Sequence, residues 1–327
     1  MDLSIVSSLY RSAPYLRDFH RRASAAVQSL GLDYEIVLVN DGSPDDSLEI
    51  ALELQREDPR LLVVDLSRNF GHYKALMTGL AHSRGRRVFL LDSDLEEDPE
   101  LLFSLSEAMD RTGADLVYGV QERRKGGFAE RMTGLMFYRL FSWLAAEKMT
   151  PNQLCARLMT RRYVDSLIMH RDREMFLVGL CAANGYQQVG VPAHKSHKGV
   201  TSYTLWRKIS LAVHAITSFS NRPLEAIFYL GAIIVFLSLI AGGVLIASRL
   251  FLGQILPGWA SIMLAVSFLG GLNLFCIGIV GIYLAKIFSE TKDRPYTVIR
   301  QVYPAAMAMK GSHESKLAGV DQVYSGA

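Results

Sequence analysis

The sequence predicts an α/β protein in which a doubly wound, mostly parallel sheet fills the first 200 residues and two membrane-crossing helices follow it. Two observations carry this. Short continuous apolar runs alternate with helix-length amphipathic stretches up to about residue 200, and two later spans, Ala226 to Ala247 and Trp259 to Ala285, hold no charged residue. The apolar runs are Leu3–Leu9 (LSIVSSL), Glu35–Asn40 (EIVLVN), Leu61–Leu66 (LLVVDL), Arg87–Asp92 (RVFLLD) and Asp115–Val120 (DLVYGV). Runs that are apolar throughout, rather than alternating, suit strands covered on both faces, and strand–helix alternation gives a parallel sheet.

The two uncharged spans are each about long enough to cross a hydrocarbon core of roughly 30 Å as a helix. Basic residues flank the pair on the outside, Arg207, Lys208 and Arg222 before it and Lys286, Lys292 and Arg294 after it, so both ends are expected in the cytoplasm. The N-terminus, MDLSIVSSLYRS, lacks a basic region followed by a long apolar core and reads as the start of a cytoplasmic domain rather than a signal peptide. Three scattered cysteines, Cys155, Cys181 and Cys276, indicate neither a disulfide framework nor a zinc site. A net charge of +3 is too small to point to nucleic acid, although local basic clusters suit an anionic membrane surface.

These features divide the chain into a catalytic-type domain (1–200), an interfacial helix (201–222), a hairpin (223–290) and a tail (291–327). The interfacial helix rests on Tyr203 to Phe219, which lines up Leu205, Ile209, Val213 and Ile216 on one face beside Arg207 and Lys208. The stretch Gln121 to Gly127 reads as a mobile basic loop before helices at about Ala129–Glu147 and Thr160–His170, and the small, polar tail after Pro304 reads as disordered.

In open sheets of this kind ligands sit beyond the carboxyl ends of the strands. Four polar clusters fall there: Tyr10 to Ser12, NDGSPDDS at Asn40 to Ser47, SRNFGHYKA at Ser67 to Ala75, and DSDLEED at Asp92 to Asp98. Any one of them passes as turn chemistry, and Ser43 with Pro44 makes a good helix start; four together describe a site. Asp92 and Asp94 flank one residue at a strand end, so both carboxylates can approach one Mg²⁺ or Mn²⁺ whose shell is completed by phosphate. Asp98 and Glu100 are better explained as acids at a helix start, and Glu97 has no assigned part.

The ordered set VNDGSPDDS, LSRNFGHYKALMTGLAHSRG, LLDSDLEEDPE, DLVYGV, RLMTRRYVDSL and TSFSNRPL, ending before two membrane spans, resembles the family 2 glycosyltransferases of the polyprenyl-phosphate (dolichol-phosphate) sugar synthase type. The resemblance implies a cytoplasmic GT-A domain, Rossmann-like, that moves a sugar with inversion from a nucleotide sugar to a polyprenyl phosphate, with tetramers or dimers known in the family. It favours a UDP-sugar and undecaprenyl phosphate as partners. Carried over by position, Asp92 and Asp94 bind the metal, Asp41 holds the base, and Ser8, Tyr10 and Arg68 fall in the nucleotide-sugar site. Asp94, Glu96 and Arg157 are the catalytic candidates. Lys195, Lys198, Arg207 and Lys208 are candidates for acceptor phosphate or membrane surface.

The chain departs from the family pattern at Ser8 to Ser12, where Pro-x-Tyr-Asn-Glu is common, at Glu96 for Gln, at Cys155 for an acid and at Ser202 for Lys. A phosphate monoester has a second pKa near ~6 and is mostly dianionic at neutral pH, so a phosphate acceptor does without the missing acid. A sugar hydroxyl on a lipid-linked glycan would need a base, and a scaffold without catalysis is the third reading.

Overall fold

The computed structural model describes residues 1–121, 152–170, 172, 175, 177–194, 222–252, 258–292 and 294–305. It divides into two units, one of Met1–Arg131, Met149–Thr201 and Arg294–Ala327, the other of Met132–Lys148 and Ser202–Asp293. The first unit holds β1 (Leu3–Leu9), α1 (Ala13–Ser29), β2 (Tyr34–Asn40), α2 (Ser47–Glu57), β3 (Leu61–Leu66), α3 (His72–His82), β4 (Arg87–Leu90), α4 (Leu101–Thr112) and β5 (Leu116–Gln121). After these come β6 (Gln153–Thr160), α5 (Arg161–Leu167), α6 (Leu177–Ala183), β7 (Gln188–Ala193) and β8 (Ile299–Tyr303).

The eight strands form one sheet in the order β7-β5-β6-β4-β1-β2-β3-β8. Pairings β1–β2, β1–β4, β2–β3 and β5–β7 are parallel, whereas β6 runs antiparallel to both neighbours and β8 antiparallel to β3. The sheet is therefore mostly parallel with two reversed strands. From β1 the chain builds outward first to β2 and β3, then crosses back to β4, which makes the carboxyl ends of β1 and β4 the switch point where such sheets bind ligands.

Every residue of β1, β2 and β3 is buried, the polar Ser4, Ser7, Ser8, Glu35, Asn40 and Asp65 along with the apolar ones. Alternate side chains serve opposite faces. Ile5, Leu9, Ile36 and Leu38 join Leu16 and Phe19 of α1, Leu54 of α2 and Leu102 and Leu105 of α4 in one core. On the other face α3 lies so close that a Cβ on Gly79 would come 2.6 Å from Val6 Cγ1.

One of two expectations about helix starts needs correcting. Helix α2 begins at Ser47, after Asp46, rather than at Ser43 and Pro44. Asp98 and Glu100 do stand at the start of α4, Glu100 as its N-cap residue, and both also pair with Arg22 of α1, at 2.7 and 2.5 Å. The Arg22 guanidinium adds to the helix start and holds the Glu100 carboxyl below its usual range.

In the second unit, α7 (Arg222–Leu252) and α8 (Trp259–Thr291) contain the two uncharged spans and extend beyond them. Segments Leu224–Ala241 and Phe268–Thr291 are long and apolar enough to cross a membrane, and large apolar side chains along them, such as Phe228, Leu239, Phe268 and Leu274, are exposed. The expected basic loop, the helix at 129–147, the interfacial helix and the tail from residue 306 lie outside the described residues. The helix expected at Thr160–His170 is shorter, as α5.

Candidate functional site

The four polar strand ends are tied to one another by hydrogen bonds. The amide of Arg11 donates to Ser43 Oγ at 2.7 Å, and that of Ser12 to Ser47 Oγ at 3.0 Å, linking the β1 end to the loop after β2. Asp45 braces the same junction, accepting from Ala13 N–H and from the hydroxyls of Ser43 and Ser47. Burial works against its charge, but these donors prevail and hold its carboxyl below the usual range. Ser12 Oγ meets Ser93 Oγ at 2.8 Å, and Ser93 Oγ donates to the Ser8 carbonyl, which ties the β1 end to the β4 end.

Asp41 joins the second cluster to the third. It is buried, and its two oxygens accept the amides of Phe70 and Gly71 at 2.7 and 3.0 Å. Burial pushes this carboxyl up despite those bonds. The sequence position suggests a contact with the base; the geometry makes Asp41 a brace for the loop that carries Phe70 to His72. Gly42, at φ +58°, lets the two loops touch, because a Cβ there would lie 2.5 Å from the Arg68 carbonyl carbon. Arg68 is exposed, its guanidinium 4.6 Å from the centre of the Phe70 ring, and Tyr10 is also exposed.

Beyond β4 stands the acidic segment. Asp94 Oδ1 accepts the Glu96 amide at 2.9 Å within a turn whose Leu95 has φ +58°. Glu97, unassigned from sequence, is buried and accepts the amides of Cys155 at 3.0 Å and Ala156 at 2.6 Å, fixing the incoming end of β6 to this loop. That cross-link brings Cys155 to the site. Its thiol is pushed well up, first by desolvation and then by the charges of Asp92 and Glu97.

His72, at the start of α3, was not singled out by sequence reasoning. Its Nδ1 lies 2.9 Å from Ser8 Oγ, and its Nε2 lies 3.3 Å from Asp92 Oδ1 and 3.9 Å from Cys155 Sγ. One donor atom each from His72, Asp92 and Cys155 lie within 4.8 Å of one another. Asp92 Oδ1 is buried without a well-formed hydrogen bond, the condition of an oxygen suited to a cation. The only signal in the sequence was the histidine inside the polar cluster NFGHYK.

Arg157 sits in the middle of β6, opposite Leu90 of β4 and Tyr118 of β5, and is 2% exposed. Its guanidinium donates to the carbonyls of Leu154 and Cys155 and to Cys181 Sγ. Its guanidinium is therefore engaged in shaping the strand that bears Cys155. Lys195, Lys198, Arg207, Lys208, Ser202 and the cations of the 121–127 loop lie outside the described residues. A cavity of about 410 Å³ bordered by Asp2, Leu32, Arg86, Arg87 and Thr160 lies at the amino ends of β1 and β4, the opposite end from this site.

An open α/β sheet that gathers carboxylates, hydroxyls and an imidazole at its switch point has its polar groups where sheets of this kind bind ligands. The family model for glycosyl transferase family 2 matches residues 4–174. The chain belongs to that family and is a glycosyltransferase.

A Mycobacterium tuberculosis (strain CDC 1551 / Oshkosh) protein named only at the level of glycosyltransferases is 47% identical over 318 residues, covering 97% of this chain and 93% of that one. The SfII prophage-derived bactoprenol glucosyl transferase of Shigella flexneri is 30% identical over 304 residues, covering 92% and 98%. Among solved structures, glucosyl-3-phosphoglycerate synthase from M. tuberculosis with phosphoglyceric acid superposes with a TM-score of 0.47 at 20% identity, over 66% of this chain and 78% of that one.

Proposed function

We propose that this glycosyltransferase moves a monosaccharide, with inversion, from a nucleotide sugar to a polyprenyl phosphate at the cytoplasmic face of a membrane, with UDP as the carrier nucleotide and undecaprenyl phosphate as the lipid. The observation that carries this reading is the Shigella relative named for bactoprenol, which aligns across 92% of this chain and thus beyond the sheet domain into the apolar helices. A divalent ion, Mg²⁺ or Mn²⁺, held at Asp92 with Asp94 beside it, would neutralise the departing diphosphate. Asp92 Oδ1, buried and without a well-formed hydrogen bond although His72 Nε2 lies 3.3 Å away, supports a cation there.

This chain's own residues would supply the rest. The Asp41 brace and the hydroxyls of Ser8, Ser12, Ser43 and Ser47 keep three loops in one arrangement, so donor and acceptor meet with little reorganisation. No carboxylate takes the place of Cys155, and a dianionic phosphate acceptor attacks without first losing a proton.

The test is transfer from labelled UDP-sugars by the full chain in membranes, with undecaprenyl phosphate and Mn²⁺ supplied and products analysed by mass. A polyprenyl monophosphate sugar, released by mild acid, is the expected product. Product formed only when a preassembled oligosaccharide lipid is added would mean a sugar-hydroxyl acceptor, and absence of both product and UDP binding would mean a scaffold. Asp94→Asn should reduce turnover by more than about a hundredfold, given what charge-stabilising groups contribute; near-normal rates would remove Asp94 from the site.

A further inference from the structure

We infer that His72 and Cys155 join Asp92 as donors to the divalent ion, so that this site favours a borderline ion of the Zn²⁺ and Co²⁺ type over Mg²⁺. The inference rests on the reading above only in setting a divalent ion at Asp92.

Donors at about 2.0–2.3 Å from a tetrahedral ion stand roughly 3.3–3.8 Å from one another. The observed separations from His72 Nε2 are 3.3 Å to Asp92 Oδ1 and 3.9 Å to Cys155 Sγ, close to these values, and all three atoms lie within 4.8 Å of one another. Two of the three donors are held from behind. Ser8 Oγ, 2.9 Å from Nδ1, can accept that nitrogen's proton and leave the Nε2 lone pair facing Asp92 and Cys155. Glu97 fixes Cys155 through its amide, and Arg157 through its carbonyl.

A protonated His72 paired with Asp92 is the competing explanation. It leaves Asp92 Oδ1 without a well-formed hydrogen bond and gives Cys155 no part. Imidazole and thiolate are poor partners for Mg²⁺, which takes oxygen, and good ones for Zn²⁺ and Co²⁺. Placing a thiol where an acid is common in the family would thus change which ion is held.

The full chain, reduced and in detergent, is titrated with Co²⁺ and, in competition with a chelator, with Zn²⁺ and Mg²⁺. A sulfur-to-cobalt charge-transfer band is expected in the wild type, absent from Cys155→Ala. Zn²⁺ affinity should fall at least about tenfold in Cys155→Ala and in His72→Ala, with Mg²⁺ affinity changing by less than about threefold. Cys155→Ser, nearly isosteric, replaces Cys155→Ala if the latter unfolds.

No band in the wild type, a band that persists without Cys155 and so arises from Cys181 or Cys276, or equal Zn²⁺ affinity in all variants overturns the inference. Sugar transfer is assayed in parallel on the wild type with Mn²⁺. Lack of transfer with a Cys155-dependent band would fault the proposed function alone, and transfer without the band would fault this inference alone.

Discussion

At the scale of single residues, the acidic segment after β4 shows how differently equal-looking carboxylates are used. Asp92 faces His72 and Cys155, Asp94 accepts a local amide, and Asp98 and Glu100 pair with Arg22. Glu97 is spent on two backbone amides of β6. Its role was illegible in the sequence because its partners lie 58 and 59 positions away and are main-chain groups that any residue offers. Truncation would orphan both donors at a cost of about 1–3 kcal/mol each. Glu97→Ala should therefore lower stability by roughly 2–6 kcal/mol in denaturant titration, with Glu97→Gln, which keeps one acceptor oxygen, in between. An unchanged midpoint would mean that β6 is held by its neighbours alone.

At the scale of elements, what the sequence disclosed was local and what it concealed was long-range. Leu3–Leu9 and Leu61–Leu66 were read at their observed bounds, because continuous apolar runs announce fully covered strands. Strands β6 and β7 went unread: β6 mixes Gln153, Cys155 and Arg157 with apolar residues, and β7 is half exposed. Strand β8 escaped notice because it is an exposed edge, with Arg300 reaching back to Asp65 and to the Ser67 carbonyl. Gln55 also donates to the carbonyls of Tyr303 and Pro304. Truncation before residue 294 should expose the β3 edge, and hydrogen exchange at Val63 to Leu66 should accelerate; unchanged protection would show that β8 adds nothing to β3. A second inter-element contact sets acid stability. Burial alone would raise the Asp58 carboxyl, but hydrogen bonds from His20 of α1 and from Arg60 prevail and hold it well below the usual carboxylate range. A depressed folded pKa means that the unfolded chain takes up the proton first. The stabilisation is accordingly present above about pH 4 and is lost as pH falls further, towards the folded pKa. Asp58→Asn should flatten the stability profile in that acid range, and an identical profile would exclude this group as its source.

At the scale of the whole molecule, the sheet constrains how the chain can thread a membrane. Strand β3 precedes both apolar helices and β8 follows both, yet the two are hydrogen-bonded neighbours, with Val63 opposite Tyr303 and Asp65 opposite Gln301. Thr78 of α3 also meets Thr297 through their hydroxyls at 2.9 Å. Main-chain pairing of this kind cannot span a bilayer, so if α7 crosses, α8 must cross back. This argument is independent of the basic flanks Arg222 and Lys292, and it agrees with them. A reporter fused after Ala327 of the full chain should therefore read as cytoplasmic, on the same side as one fused ahead of Met1, while a tag inserted between Leu252 and Gly258 should be reached from the opposite side. Detection of the two ends on opposite sides would require β8 to leave the sheet, and hydrogen exchange at the β3 edge would then report that separation directly.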